Sequence, residues 1–510
     1  MKIDRKQLPQ NLDQCHALIR ELMDNLDAKE RKLQRLLAWL TKLLRWRYGP
    51  RREHVDENQL FLFAVATVET KQDVPSAEPV PETKKADRKP HGRMPLPPHL
   101  ERREQHHELA GDKCSCPQCQ EPMRRIGEEI SERLEYVPAS LHVIKDICGK
   151  YACPKGCTVV TAGKPMQPIE KGLAGPGLLA HVVVNKYADH LPLYRQEGMF
   201  ARQGVELSRQ TLCDWMRDCA ALVEPLFEQM KRVVLSSKAV QTDDTPVAVL
   251  DPAMTRTKTG RVWTYVGDRA HPYTVYDYTP DRSRDGPDRF LQEFCGYLQA
   301  DAYSGYDGIY KDAQREVTEV ACWAHARRKF FEAQESDIMR SMVLLAYIRL
   351  LYEVEREARD RKMDGTQRLA LRRQKSVAIL ADIEAYLRRE QRDVLPKSPM
   401  GDAIRYALNN WTALWRYTED GDLEIDNNGA ERSLRGVAVG RKNWLFFGSD
   451  TGGHTAAILT SLITTCKRLD IDPFAYLRDI FERISAHPAK RLSELLPDQW
   501  KAARAITVTR

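Results

Sequence analysis

The sequence predicts a multidomain α+β protein. Three observations carry this: a heptad repeat near the N-terminus, paired cysteines after a charged proline-rich stretch, and a change from helical to strand-like periodicity at Ser237. A chain of 510 residues has room for three or four domains and a large buried core. A formal net charge of +7, with 30% charged residues, favours a polyanionic partner. Met1–Gln7 lacks the apolar core of a signal peptide, and the longest apolar run, Leu60 to Val68, is too short to span a bilayer. The expected location is therefore the cytoplasm, on the nucleoid, with no membrane partner. In that compartment the 12 cysteines are buried thiols or metal ligands, not a disulfide framework.

Residues 1–50 form the first predicted element, a coiled-coil helix. Leu12, Ile19, Leu26, Leu33 and Leu40 recur every seven residues, and Cys15, Leu22, Leu36 and Leu43 fill the companion row, interrupted by Lys29. This pattern predicts self-association as a homo-oligomer, with a dimer the expected state; a long helix packed on its own chain is the competing reading. Gly49-Pro50 stops the helix. Residues 51–110 are basic and Pro-rich with few large apolar groups, and read as a linker.

Between residues 111 and 160, Cys114-Ser-Cys-Pro-Gln-Cys119, Cys148 and Tyr151-Ala-Cys-Pro-Lys-Gly-Cys157 bring soft ligands into two closely spaced groups. Zn²⁺ takes four such thiolates in a tetrahedron, which predicts a structural zinc ribbon held by Cys116, Cys119, Cys153 and Cys157, with Cys114 and Cys148 as substitutes. Strand alternation is expected in Ile130–Pro138 and Leu141–Ile144. Residues 165–235 are helical in pattern. Leu178–Tyr187 and a helix starting at Leu207, N-capped by Ser208, suggest a helix-turn-helix in which Arg209, Gln210 and Asp214 face DNA while Leu212 and Trp215 pack inward.

From residue 236 to 485 the pattern is that of a mixed core. Ala239–Leu250, Arg261–Asp268 and Tyr273–Tyr278 read as strands, Asp288–Phe294 as a helix, and Tyr297–Asp301 and Val317–Cys322 as two more strands. That order matches an RNase H-like α/β sheet. The interval from Asp301 to Glu431 is more than twice that from Asp243 to Asp301, and residues 331–415 fill it with an all-helical insertion. Arg441–Phe447 and Gly448–His454 read as a basic and aromatic loop in which Trp444 and Phe446 pack on the core. Residues 486–510 read as a peripheral C-terminal tail.

Three acids sit at the centre of this core: Asp243 and Asp301 at or near strand ends, and Glu431 in a helix announced by Asp426, Asn427 and Asn428. Carboxylates beside apolar segments need a cation or a basic partner, and hard oxygen ligands suit Mg²⁺ or Mn²⁺. A pair of such ions can hold the attacking and leaving oxygens of a phosphoryl displacement.

The words Asp243-Asp-Thr-Pro-Val247, Ala300-Asp-Ala-Tyr-Ser-Gly-Tyr306, Cys322-Trp-Ala-His-Ala-Arg-Arg-Lys-Phe330 and Ile425-Asp-Asn-Asn-Gly-Ala-Glu-Arg-Ser-Leu-Arg435 resemble the transposases of the insertion sequence 66 family over nearly the whole chain. The resemblance implies an RNase H-like core with a catalytic DDE triad at Asp243, Asp301 and Glu431, these acids holding two Mg²⁺ or Mn²⁺ ions. It also implies companion proteins encoded by the same element. Asp244 stands where relatives often carry Glu, so the ligand is assigned to Asp243. Relatives usually close the second cysteine pair with two intervening residues; here there are three, Pro154, Lys155 and Gly156.

Arg327 and Arg328 suit a scissile phosphate because guanidinium grips it in bidentate fashion. Arg435 lies one helical turn from Glu431, to pair with it or hold DNA, and Arg441 and Lys442 follow. His325 is open to several roles: orienting a water, contacting a phosphate or bonding within the core. The function expected is a DNA transposase that cleaves element ends and joins the 3′-hydroxyl to double-stranded target DNA. The alternatives are a nuclease or integrase of the same fold, and a DNA-binding protein without chemistry.

Overall fold

A computed structural model describes residues 141–144, 150–152, 159–161, 166–170 and 172–508. The coiled coil, the linker and the ligand candidates Cys116, Cys119, Cys153 and Cys157 lie outside them. The described residues fall into two compact units, one holding those up to Thr161 and one holding those from 166 to 508. In the first, β1 (Lys150–Ala152) and β2 (Val159–Thr161) pair antiparallel, Tyr151 opposite Val160. Leu141–Ile144, expected as a strand, has no regular structure; Val143 and Ile144 are exposed, so local alternation there is not backed by a buried face.

The second unit opens with α1 (Pro176–Tyr187), α2 (Leu193–Arg202) and α3 (Arg209–Leu235). A mixed sheet follows: β3 (Ala239–Val249), β4 (Lys258–Val266), β5 (Thr274–Thr279), α4 (Asp285–Phe290), β6 (Gly296–Ala300), α5 (Asp307–Lys311) and β7 (Val317–Ala321). Helices α6 (Trp323–Glu332), α7 (Ile338–Asp360), α8 (Gly365–Glu390), α9 (Pro399–Asn409) and α10 (Trp411–Trp415) come next. The chain ends in α11 (Asn428–Trp444), α12 (Asp450–Arg468), α13 (Pro473–Arg483) and α14 (Pro497–Val508).

Strand order is β5-β4-β3-β6-β7. β3, β4 and β5 form an antiparallel meander, whereas β6 and β7 run parallel to β3. Because side chains alternate along a strand, β3 sends Val240, Thr242 and Asp244 to one face and Gln241, Asp243, Thr245 and Val247 to the other. The first face, with Trp263, Tyr265 and Leu298, packs in one core with α1, α3 and α13. On the second face Val247, Val262 and Tyr276 meet Leu434 and Val437 of α11. At the β7 end, Val320 and Ala321 lead into Trp323 and the separate core of the helical insertion, α7 to α10. Helix α12 covers the edge of β5: Thr274 and Tyr276 donate their backbone N–H groups to the hydroxyls of Thr465 and Ser461.

Three expectations need correction. The helices beginning at Pro176 and Arg209 are not consecutive, since Pro192 starts the intervening α2. Ser208 does cap α3 through Thr211, and Leu212 and Trp215 are buried, as expected. Second, Arg441–Trp444 continues α11 and Asp450–His454 opens α12, capped by Ser449, so only residues 445–449 connect them. Trp444 stacks on Phe447, but Phe446 is 41% exposed and does not pack inward. Third, the C-terminal segment is not peripheral: Leu495, Leu496 and Trp500 are buried in the main core, and Tyr273 donates to Asp498.

Candidate active site

Sheet register fixes the first two acids. In the parallel pairing of β3 with β6, Gln241 stands opposite Gln299. Asp243 and Asp301 each lie two residues further along and, by alternation, on the same face as those glutamines. Gln241 Nε2 donates to Gln299 Oε1 at 3.0 Å and to the Asp426 carbonyl at 3.1 Å, while Gln299 Nε2 donates to the Glu424 carbonyl at 2.8 Å. These amides tie both strands to the segment that leads into α11. Gly429 leaves room there for Gln241, since a Cβ would stand 2.2 Å from its Oε1 and push that amide aside. Helix α11 therefore starts directly over β3, with Glu431 in its first turn.

Asp301 follows β6 at a tight bend: Ala302 has φ of 61°, and Asp301 Oδ1 accepts the Tyr303 N–H at 3.1 Å. Burial, with the fields of Asp301, Glu431 and Asp244 adding to it, pushes the Asp243 carboxyl up to about 7 against the restraining Asp244 N–H. Asp301 and Glu431 are thus both within electrostatic reach of Asp243. Asp244 has another environment: on the opposite face, its carboxylate receives Arg261 at 2.8 Å and Arg282 at 2.9 Å.

His325, from the first turn of α6, reaches the same cluster. Its Nδ1 lies 3.7 Å from Glu431 Oε1, and both atoms are buried without a hydrogen-bond partner among the described residues. Burial lowers the His325 pKa, with Glu431 and Asp301 opposing. Cys322 Sγ lies within 4.8 Å of the nearest ligand atoms of His325 and Glu431. A buried carboxylate oxygen with no partner among the described residues, with Asp243 and Asp301 in its electrostatic surroundings, is a donor that fits a divalent cation.

Of the basic candidates, Arg328, Arg435 and Lys442 are exposed and Arg327 is half-buried. Arg441 differs from the expectation of a DNA contact, since its guanidinium bonds Thr245 Oγ1 at 2.8 Å and the Pro246 carbonyl at 2.5 Å, bracing α11 against β3. Arg209 and Gln210 are not brought to the site: they open α3, which packs under the opposite face of the sheet. Gln210 bonds Asp214 at 3.2 Å. Sequence reading missed Gln241, Gln299 and Tyr352, whose hydroxyl donates to Asp426 Oδ2 at 2.9 Å. Polar residues at buried strand positions were the available signal for the glutamines; nothing local marks Tyr352.

Residues 171–455 match the model of the Transposase IS66 family. The chain belongs to the IS66 transposase family. Further matches within the chain are the IS66 C-terminal element at 461–497, the zinc-finger binding domain of transposase IS66 at 113–156, and Transposase C of IS166 homeodomain at 35–104. The zinc-finger match supports a structural zinc; its span holds Cys116, Cys119 and Cys153 and stops one residue short of Cys157. Among its relatives are two proteins of Sinorhizobium fredii, both called uncharacterized. One, y4jD, is 33% identical, the alignment covering 98% of this chain and 99% of that protein. The other, y4qI, is 35% identical over 93% of this chain and 91% of its own length. Among the described residues no helix is long and apolar enough to cross a membrane.

Proposed function

We propose that this IS66 transposase cuts phosphodiester bonds at the ends of its element and joins the freed 3′-hydroxyl to target DNA, using Asp243, Asp301 and Glu431. What supports the reading is that Asp243 and Asp301 share one face of the sheet and that Asp301 and Glu431 both act on the Asp243 carboxyl, while the neighbouring Asp244 is held by two arginines. A meander of three strands followed by two parallel ones supports an RNase H-like core. Mg²⁺ or Mn²⁺ ions would supply nucleophile activation and charge stabilisation for in-line phosphoryl transfer.

The chain's own groups do the rest. Gln241 and Gln299 hold the two strands and the start of α11 in one register, so that the carboxylates are oriented before substrate arrives. Arg328, Arg435 and Lys442 offer cationic contacts to the backbone of the bound duplex, and Arg327 borders the same surface. Arg209 and Gln210 belong to a separate DNA contact on α3. The zinc module, with Cys116, Cys119, Cys153 and Cys157 as ligands, shares end recognition with that helix. Pairing of two protomers through the heptad segment lets both ends be processed together, with companion proteins of the element assisting.

The test is Mn²⁺- or Mg²⁺-dependent nicking of a duplex carrying the DNA that flanks the gene, compared with Asp301→Ala. Cleavage at one defined phosphate by the native protein alone supports the proposal. Specific binding without cleavage, with companion proteins supplied, rejects it.

A further inference from the structure

The contact between His325 and Glu431 is within ion-pair reach but, at 3.7 Å, too long for a hydrogen bond, and among the described residues neither Nδ1 nor Oε1 has a hydrogen-bond partner although both are buried. A structural histidine with such a neighbour closes to about 2.8 Å, since a charge-assisted bond offsets the cost of burial. The observed spacing has a different match: two donors each about 2.1 Å from one ion stand between about 3 and 4.2 Å apart, depending on the angle between them. Cys322 Sγ, close by, already accepts the Asn427 N–H at 3.4 Å and is wholly buried, so it backs the pair and stays outside it.

We propose that His325 Nδ1 is a metal ligand that shares an ion with Glu431 Oε1, making this position a mixed nitrogen and oxygen site. The inference rests on the carboxylate-site reading above and adds a ligand to it. An imidazole donor favours first-row transition ions over Mg²⁺, which prefers oxygen ligands and its own water shell. The Glu431 position therefore takes Mn²⁺ in preference to Mg²⁺.

His325 also lies in the fields of Asp301, Arg328 and Lys329. His325 comes from α6, immediately after β7, and Glu431 from α11, on the far side of the helical insertion. One ion shared by them links the two ends of that insertion.

The decisive measurement is the pulsed electron paramagnetic resonance spectrum of Mn²⁺ bound to the full chain with its zinc retained. A ¹⁴N coupling at one bound Mn²⁺ is expected, together with at least tenfold tighter binding of Mn²⁺ than of Mg²⁺. In His325→Gln the coupling disappears, Mn²⁺ binding weakens at least tenfold and Mg²⁺ binding changes little. Mn²⁺ that binds in an Asp301-dependent manner without ¹⁴N coupling, or whose coupling survives in His325→Gln, overturns the proposal and leaves the carboxylate site standing. Absence of any Asp301-dependent Mn²⁺ binding overturns both. The native spectrum alone can decide against the inference, so a variant that fails to fold does not protect it.

Discussion

Two buried ionic clusters in this chain are built to opposite ends. In the helical insertion, Arg372 is wholly buried, and its guanidinium meets Glu355 in a fork of two 2.7 Å bonds and the carbonyls of Tyr417 and Asp420 at 2.7 and 2.9 Å. Its bonding capacity is directed within the fold. At the sheet face, Asp301 and Glu431 both lie in the electrostatic field of Asp243, and among the described residues Glu431 Oε1 and His325 Nδ1 have no hydrogen-bond partner. Closed charge holds elements together; charge left open is available to a ligand, at a cost in stability that the ligand repairs.

The largest expected effect lies on the closed side. Arg372→Ala strands Glu355 in the insertion and leaves two carbonyls unpaired, so stability should fall by about 3–5 kcal/mol. Urea unfolding measures this; a loss below about 1 kcal/mol would show that the cluster is not a closed structural unit.

On the open side the sign reverses. Asp243→Asn removes a charge from a crowded site, so protein dialysed free of Mg²⁺ and Mn²⁺ should be as stable as the native chain or more so at pH 8. The same substitution should weaken Mn²⁺ binding by at least roughly a hundredfold, a ligand counting for more than its outer-shell partners. The pH dependence follows from a carboxyl raised to about 7 in the folded chain. Between the ordinary carboxylate range and 7 the folded state holds the extra proton, so Asp243's contribution to stability is lost as pH rises through that window. Thermal melts from pH 5 to 8 should show this decline in the ion-free native protein and a flatter profile in Asp243→Asn.

Asp244→Asn sharpens the contrast between neighbours. Its carboxylate, 4% exposed, neutralises Arg261 and Arg282 on the opposite face. Destabilisation by about 1–2 kcal/mol with Mn²⁺ affinity unchanged is expected. Loss of Mn²⁺ binding instead would reverse the assignment between the two residues.

This pair also shows what the sequence could reveal. Strand alternation and the surrounding words located the acids, and period two separates Asp243 from Asp244 once a face is known. Which face carries the site depends on where α11 lands, a long-range fact. The connection after α11 was misread for a similar reason. Gly452 and Gly453 resemble a loop, yet they lie in the first turn of α12, and Gly453 is needed because a Cβ would meet Tyr278 at 2.5 Å. Leu495 and Trp500 looked like tail residues because their partners, Tyr476 and Asp479, are on α13 and show no local pattern with them.

The smallest effect tests whether the two regions are independent. Tyr352 belongs to α7 of the insertion, yet its hydroxyl reaches Asp426, which also accepts the Asn428 side-chain amide at 2.7 Å at the start of the Glu431 helix. Tyr352→Phe keeps the ring and deletes that one bond, at about 1 kcal/mol. If the insertion positions the third acid, Mn²⁺ affinity should drop roughly fivefold, about the same free energy, with Mg²⁺ falling in step because no ligand is lost. If stability falls while both affinities hold, the bond serves packing alone, and the insertion's closed charge and the site's open charge are separate devices on one chain.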